Sequence, residues 1–522
     1  MNIKAFISEH RDLSIVLAVY SGLAFILLIF FHYNLMGDEI SYISIAHHYS
    51  TGNWNEAINA YWSPLYSWLI APFLLGVFDP FQSAIIPRAL SLIIGFLAII
   101  GLNQLAKTFK LEGMVRIAIL VSSIPFVLFF AIRYSTPDLL VSCILVFYFA
   151  VIFNSRYPDD VSNGFWSGFL GALGYLAKSF VFPFFLVHFI LSNLICYFEG
   201  KKRKKILKNL FLGLVIFFII SGLWMGMISL KQGEVTIGTA KDYNHALVGP
   251  TYPEHPIYSS GLIEPSNKDA VSIWEDPAEI QLEEWNPLES SEYFVLQMEI
   301  VKNNVLRTIA FLERFSPLAM VIIILSIYFM VKSESRRVKF DLVKILMTML
   351  IYMGGYVLIF VEPRYLWPIS FLLLINGFYL VNYLYERGSL NLSIRNIFLI
   401  LVMVSFMITP IMEIGAFVGS GDQLLSVGVT LKNEYNLQGN IASNDQWADT
   451  MSLSYYLGSR YFGVTKNSNQ TSLEQELELN NIDYYFVWGG GDELTFNHYQ
   501  EITGNKINNL RIYSQLQKGK SC

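Results

Sequence analysis

The chain has 522 residues, of which 54% are hydrophobic and 15% aromatic, with a mean hydropathy of +0.44. Only 15% are charged, against roughly 25% in soluble domains; a soluble enzyme and a nucleic-acid-binding protein are excluded, and a polytopic membrane protein is predicted. The formal net charge of −5 says little, because the placement of the charges carries the information. Cys143 and Cys196 lie in apolar segments and Cys522 is terminal, so neither a disulfide framework nor a thiolate zinc site is indicated.

Spanning helices need about 20 apolar residues. Taken in chain order, the candidates are 14–33, 83–104, 115–132, 137–153, 164–178, 179–198, 207–230, 309–331, 341–361, 365–385 and 396–417, eleven spans in all. The first is long for a signal-peptide core and has no small-residue cleavage pattern after it, so it reads as a retained helix. Basic residues cluster at 4–11, at Lys107, Lys110 and Arg116, at Arg156, at 201–205, at 332–344, and at Arg387 and Arg395. The positive-inside rule places all of them on the cytoplasmic side if the apolar stretch 61–78, which contains Pro64 and Pro72, does not span. Its aromatic residues Tyr61, Trp62, Tyr66 and Trp68 suit the outer interface.

This topology predicts a multi-pass cell-membrane protein with a cytoplasmic N-terminus and an extracytoplasmic C-terminus. The membrane domain runs over 1–418, with outer loops at 34–82 and 231–308. The 231–308 loop is acidic and rich in Pro, Trp and Tyr, including Trp274-Glu275-Asp276-Pro277, and reads as a solvated cap. From 419 to 522 the chain turns soluble in character. Strand-like runs at 440–444, 454–458 and 482–488 alternate with a helical pattern at 473–479, a βαβ rhythm that predicts a small extracytoplasmic α/β domain.

The first outer loop opens with Asp38 and Glu39, and residues 34–82 contain no Lys or Arg. Carboxylates near lipid with no local cation are costly to place, and are retained more readily for chemistry than for packing. Single cations stand at the outer ends of spans and break the charge bias: Arg88, Arg133, Lys178 and Arg364. Asp138 and Glu362 lie beside them. Cations at that depth suit an anionic lipid phosphate. Carboxylates there suit a general base or a metal ligand. For any one pair the alternative is mutual neutralisation, Arg133 with Asp138 or Glu362 with Arg364, tying helix ends together. His47 and His48 follow the acidic pair as interfacial polar residues and receive no role. Tyr42 fits either a hydrogen-bond donor or an aromatic anchor.

These residues resemble a known family. Gly37-Asp38-Glu39-x-x-Tyr42, followed by Ala46, Gly52 and Trp54, is similar to the first outer loop of GT-C fold glycosyltransferases, in particular the superfamily of protein O-mannosyltransferases and lipid A aminoarabinose transferases (glycosyltransferase families 39 and 83). Ser63-Pro64-Leu65-Tyr66-x-Trp68-Leu69 is similar to the family's aromatic-Pro-Pro-Leu segment, with Ser63 in place of one proline. Arg88-Ala89-Leu90-Ser91 matches the following helix. Gly171-x-x-Gly174-Tyr175-Leu176-Ala177-Lys178-Ser179 resembles a Gly-Leu-x-x-Leu-x-Lys-Gly motif, departing at Ser179. Arg364-Tyr365-Leu366-x-Pro368 resembles the Arg-Tyr-Leu-Leu-Pro motif of a late helix. The likeness covers 30–185 and 355–372 well and the tail loosely.

The resemblance implies inverting transfer of a sugar from a polyprenyl-phosphate donor to a protein, lipid or glycan acceptor at the outer membrane face. It makes Asp38 the base for the acceptor hydroxyl, Glu39 its neighbour in binding and Asp138 the second acidic residue. Lys178 and Arg364, with Arg88 and Arg133, would bind donor phosphate; Tyr42, Glu362 and Tyr365 would contact substrate. No cofactor is required, and although branches with and without a divalent metal exist in the superfamily, nothing in the sequence indicates one. A transporter or flippase of a lipid-linked or acidic solute would also need buried charges, but the chain lacks internal repeats and paired broken helices. A polyprenyl-linked ligase or polymerase would place its long outer loop and arginines differently.

Overall fold

Nearly every long apolar run forms a helix. A computed structural model of the chain describes residues 11–31, 35–76, 79–198, 202–252, 255–419, 421–467, 469–489, 494–504 and 506–516. The expected basic residues at 4–10, Lys201 and the terminal Cys522 lie outside the described residues.

Among the described residues eight helical stretches are long and apolar enough to cross a membrane: Arg11–Phe31, Pro80–Thr108, Gly113–Arg133, Val181–Phe198, Arg203–Gln232, Arg336–Val357, Pro363–Glu386 and one that contains the helix Leu392–Phe417. Ser291–Phe315 and Ala319–Lys332 would make a ninth, but they meet at 106°. That bend corrects the expected straight span at 309–331. Pro317 has no N–H to continue the ladder, and Ser316 leaves the helix in an extended conformation while its hydroxyl meets that of Ser405 at 2.6 Å. Two further expected spans, 137–153 and 164–178, form the helices Pro137–Ile152 and Ser162–Ala177, of 16 residues each. At about 24 Å they are shorter than a hydrocarbon core of about 30 Å. The 61–78 stretch folds as a short helical segment, Leu65–Leu74, too short to span, as expected; residues 77 and 78 lie outside the described residues. It packs Tyr66, Ser67, Ile70 and Leu74 inward.

Two features set the positions of the site residues. The helix Ser162–Ala177 lies backbone to backbone on Arg203–Gln232, since a Cβ on Gly164 would fall 2.5 Å from the Asn209 carbonyl, and one on Gly168 would run into that of Gly213. Small residues at four-residue spacing permit this approach, and it fixes Lys178 at the helix end. The helix Trp367–Glu386, buried through most of its length, stacks Trp367 on Phe130 at 4.0 Å between ring centroids and so holds Arg364 in the preceding turn near the end of Gly113–Arg133.

At the C-terminal end five strands, β1 (Asn440–Ser443), β2 (Arg460–Val464), β3 (Tyr484–Trp488), β4 (Tyr499–Glu501) and β5 (Leu510–Gln515), form one sheet in the order β2-β1-β3-β5-β4. β1 pairs in parallel with β2 and β3, while β5 runs antiparallel to β3 and β4. The helical pattern at 473–479 is borne out within Gln470–Leu479. The strand-like run at 454–458 is not a strand: it ends the helix Trp447–Leu457, which closes on Gly458 in the left-handed region at φ 61°. The β propensity of Tyr455 and Tyr456 is overridden by tertiary packing. Tyr456 stacks on Phe81 at 4.9 Å and the Tyr455 hydroxyl meets that of Ser83 at 2.5 Å, docking the sheet region on the helical part.

Candidate active site

The helix Gly37–Thr51 begins at an extended Met36, and Glu39 turns back to accept its N–H at 3.3 Å. This capping geometry drives Glu39 inward. Its carboxylate is fully buried, accepts the Ser135 N–H at 2.5 Å and faces Arg88 Nη2 at 3.5 Å. Arg88, itself buried, also donates to the Ile132 carbonyl. Burial pushes the Glu39 carboxyl above the ordinary carboxylate range, against the opposing pull of Arg88.

Asp38 is one residue away and therefore about 100° around the helix, so it faces a different neighbourhood. Its Oδ2 accepts from Arg364 Nη1 at 2.6 Å and its Oδ1 from Trp274 Nε1 at 2.9 Å. Arg364 also donates to Glu362 Oε2 at 2.7 Å and lies 3.9 Å from Asp138 Oδ2. Asp138, in the first turn of its helix, accepts from the Thr136 hydroxyl at 2.8 Å and from Lys178 Nζ at 2.5 Å. Lys178 breaks off its own helix in an extended conformation and stands 3.8 Å above the Tyr365 ring, which stacks on Tyr356 at 4.8 Å.

Six of the expected residues thus meet in one cluster: Asp38, Asp138, Glu362, Lys178, Arg364 and Tyr365. Glu362 does neutralise Arg364, in addition to Asp38 doing so. Asp138 takes Lys178, and not Arg133, as its partner. Glu39 and Arg88 form a buried brace behind the cluster: the structure places Arg88, expected at the donor phosphate, against Glu39 and the Ile132 carbonyl and not with Lys178 and Arg364. Arg133 is also placed elsewhere, over the rings of Tyr134 and Phe417 at 4.6 and 4.0 Å. Tyr42 is buried, edge-on to Trp62 at 5.1 Å and Tyr66 at 5.3 Å, an aromatic anchor.

The 231–308 segment is more than a solvated cap. Trp274 reaches Asp38 and packs among Tyr61, Trp62, Tyr243 and His255. Glu275 is buried, accepts from the Ser44 hydroxyl, and pairs with His48 at 2.9 Å. Burial, the largest single influence, would lower the His48 imidazole, but the bond to Glu275 and its charge, together with the charges of Asp269 and Glu56, outweigh it and hold the pKa above the ordinary histidine range. Burial pushes the neighbouring Asp276 up to about 6. The available signal was the Trp-Glu-Asp-Pro run itself: an indole and two acids beside a proline are an unusual choice for a solvated loop.

Among the described residues, the group of His and acidic side chains close enough for one metal ion is Glu474, Glu478 and His498, in the sheet region. Glu474 there already accepts the His498 N–H at 2.6 Å and the Asn497 amide at 3.1 Å.

The architecture, a helical membrane bundle whose first loop folds into a short helix carrying the acidic pair, is the GT-C fold. Two solved structures of ArnT from Cupriavidus metallidurans share it. The one bound to undecaprenyl phosphate superposes with a TM-score of 0.55 at 13% identity, covering 97% of this chain and 99% of that one. The apo structure gives 0.56 at 13%, covering 95% and 97%. At that identity the likeness is one of fold. No protein-family model matches the chain, and no curated protein sequence does.

Proposed function

We propose that this protein is a membrane glycosyltransferase that moves a sugar, with inversion, from a polyprenyl-phosphate carrier to a protein, lipid or glycan acceptor at the extracytoplasmic face of the cell membrane. The observation that supports it most is the meeting of Asp38, Asp138, Lys178 and Arg364 at one end of the helices, in a fold shared with a protein crystallised with undecaprenyl phosphate.

In this reading both cations are held paired at rest, and the excess negative charge of three carboxylates against two cations is eased by the partial exposure of Glu362. Donor phosphate competes with Asp38 and Glu362 for Arg364, and with Asp138 for Lys178. Once Arg364 turns to phosphate, Asp38 is free to accept the proton of the acceptor hydroxyl. The acceptor oxygen bonds to the anomeric carbon as the bond from that carbon to the phosphate oxygen breaks. The electron pair leaves with the phosphate, where Lys178 and Arg364 stabilise charge that grows toward the transition state. Trp274 orients the Asp38 carboxylate, and the Glu39–Arg88 brace fixes the helix that carries it. These side chains can meet the phosphate charge, so a divalent metal is not forced.

Purified protein incubated with polyprenyl-phosphate sugar and an acceptor extract, with EDTA present throughout, is expected to release free polyprenyl phosphate. A transporter or flippase would leave the sugar–phosphate bond intact. Absence of carrier release across the common polyprenyl sugars, with and without EDTA, would count against the enzyme reading.

A further inference from the structure

The helices that carry the site also build something at their other ends. Ile85–Thr108, Pro137–Ile152 and Ser162–Ala177 bring Arg88, Asp138 and Lys178 to one level. At the opposite level the same three helices line a cavity of about 550 Å³. From Arg88 to Lys107 is about 29 Å along the helix, close to the thickness of a hydrocarbon core. The lysine end of the cavity therefore lies at headgroup depth in the leaflet opposite the Asp38 site, while Phe147 and Leu170, about 12–14 Å along their helices from the level of Asp138 and Lys178, line it at hydrocarbon depth.

Its lining is divided in chemistry. Lys107 and Lys110 are exposed; Lys110 also acts at longer range on the Asp341 carboxyl, whose ion pair is with Arg337. Asn154 and Asn163 add amides from the loop beyond Pro137–Ile152 and the start of the next helix; Asn154 Oδ1 accepts the Arg156 N–H at 2.9 Å and Asn163 Nδ2 donates to the Tyr157 carbonyl at 3.1 Å, which leaves the Asn154 amino group and the Asn163 oxygen to face the cavity. The remaining wall is apolar and aromatic, with Phe147 partly buried and Trp166 49% exposed. A positive-inside surface that merely faced water would show the lysines without a walled cavity beside them. A site for a soluble anion would have no use for an exposed indole wall continuous with the lipid-facing helix surface. Cations and amides beside an aromatic wall, at headgroup depth, suit an amphiphile with an anionic head.

We propose that this cavity binds the headgroup of an anionic phospholipid of the leaflet opposite the catalytic cluster. Lys107 and Lys110 hold the phosphate, Asn154 and Asn163 hydrogen-bond the polar head, and Trp166 with Phe147 packs the upper acyl chain. The site is separate from the Asp38 cluster, and its test does not depend on transfer activity.

The experiment is lipid retention by the full-length purified protein, read by native mass spectrometry, with phosphatidylglycerol and phosphatidylcholine of identical acyl chains as probes. Wild type is expected to retain phosphatidylglycerol preferentially. Lys107→Ala/Lys110→Ala is expected to lower that retention about thirtyfold, near fivefold for each lysine, with phosphatidylcholine unchanged. Lys107→Arg/Lys110→Arg keeps the charge and should keep the preference, and Trp166→Ala should weaken both lipids alike. Both lysines are exposed, so the variants should fold, and the melting temperature of each is measured alongside. Equal phosphatidylglycerol retention by wild type and the folded alanine double variant would overturn the proposal. So would displacement of the lipid by glycerol phosphate at a similar concentration, which would make the cavity a site for a soluble phosphate.

Discussion

Replacing Lys178 by alanine separates the two roles its position allows. The ammonium lies 2.5 Å from Asp138 and 3.8 Å over the Tyr365 ring, with its side chain 23% exposed. Its loss leaves the buried Asp138 carboxylate with the Thr136 hydroxyl at 2.8 Å and Arg364 at 3.9 Å. A hydrogen bond to a charged group contributes about 1.5–3 kcal/mol. If Lys178 also binds donor phosphate, the dissociation constant for polyprenyl phosphate should rise about ten- to a hundredfold. Stability should fall by about 1–3 kcal/mol, because Arg364 remains to offset part of the stranded, buried charge. The double variant Lys178→Ala/Asp138→Asn removes the stranded charge, so it should recover most of the melting temperature yet still bind donor weakly. Affinity by microscale thermophoresis and melting by intrinsic fluorescence, measured on the same detergent-purified samples, decide between the roles. Recovery of donor affinity together with stability in the double variant would show that Lys178 serves only the ion pair, and the phosphate assignment would be wrong.

Asp38→Asn should reduce carrier release by about 10²–10⁴-fold, the usual effect of removing a general base, with donor binding largely kept; near-normal turnover would take Asp38 out of the chemistry. Reporter fusions after Asp79 and after Gly233 should read as extracytoplasmic and one after Lys204 as cytoplasmic; a cytoplasmic reading at 79 would mean that the segment around Leu65–Leu74 crosses the bilayer. Gly168→Val, whose side chain would press on the Gly213 carbonyl, should lower stability by at least about 1–3 kcal/mol, visible as a lower melting temperature; no change would show that the two helices can part freely. The His48–Glu275 pair should carry a pH signature: because the native pKa of His48 is raised, its stabilisation is full below the unfolded value of about 6.5 and is lost as pH rises through the native value. Melting temperatures from pH 6 to 8 should therefore fall more for wild type than for Glu275→Gln, and parallel curves would refute the assignment.

Much of the molecule follows from linear features. Runs of apolar residues specify helices because backbone groups in lipid must be satisfied within the segment. A charge at the end of such a run has its depth determined by the run, so Asp38, Asp138, Lys178 and Arg364 were assignable to one level before any contact was known. Helix length is equally a local property: Pro137–Ile152 and Ser162–Ala177 are within a residue of the lengths of the apolar runs that specify them.

Lateral position is another matter, because nothing in a single helix says which neighbour its charged end will face. Only packing placed Arg133 over Phe417 and away from Asp138, and only packing put Arg88 in a buried brace with Glu39. The adjacent acids Asp38 and Glu39 look equivalent in sequence; the capping geometry at Met36 sends one inward and leaves the other facing the cluster. The contact of Trp274 with Asp38 joins residues 236 positions apart, beyond the reach of any local pattern. Tyr455 and Tyr456, β-formers by propensity, belong to a helix that packs them on Phe81 and Ser83, the latter 372 positions before Tyr455. Depth in the membrane is thus encoded along the sequence, while the choice of partner at that depth is made by the three-dimensional packing of helices and loops.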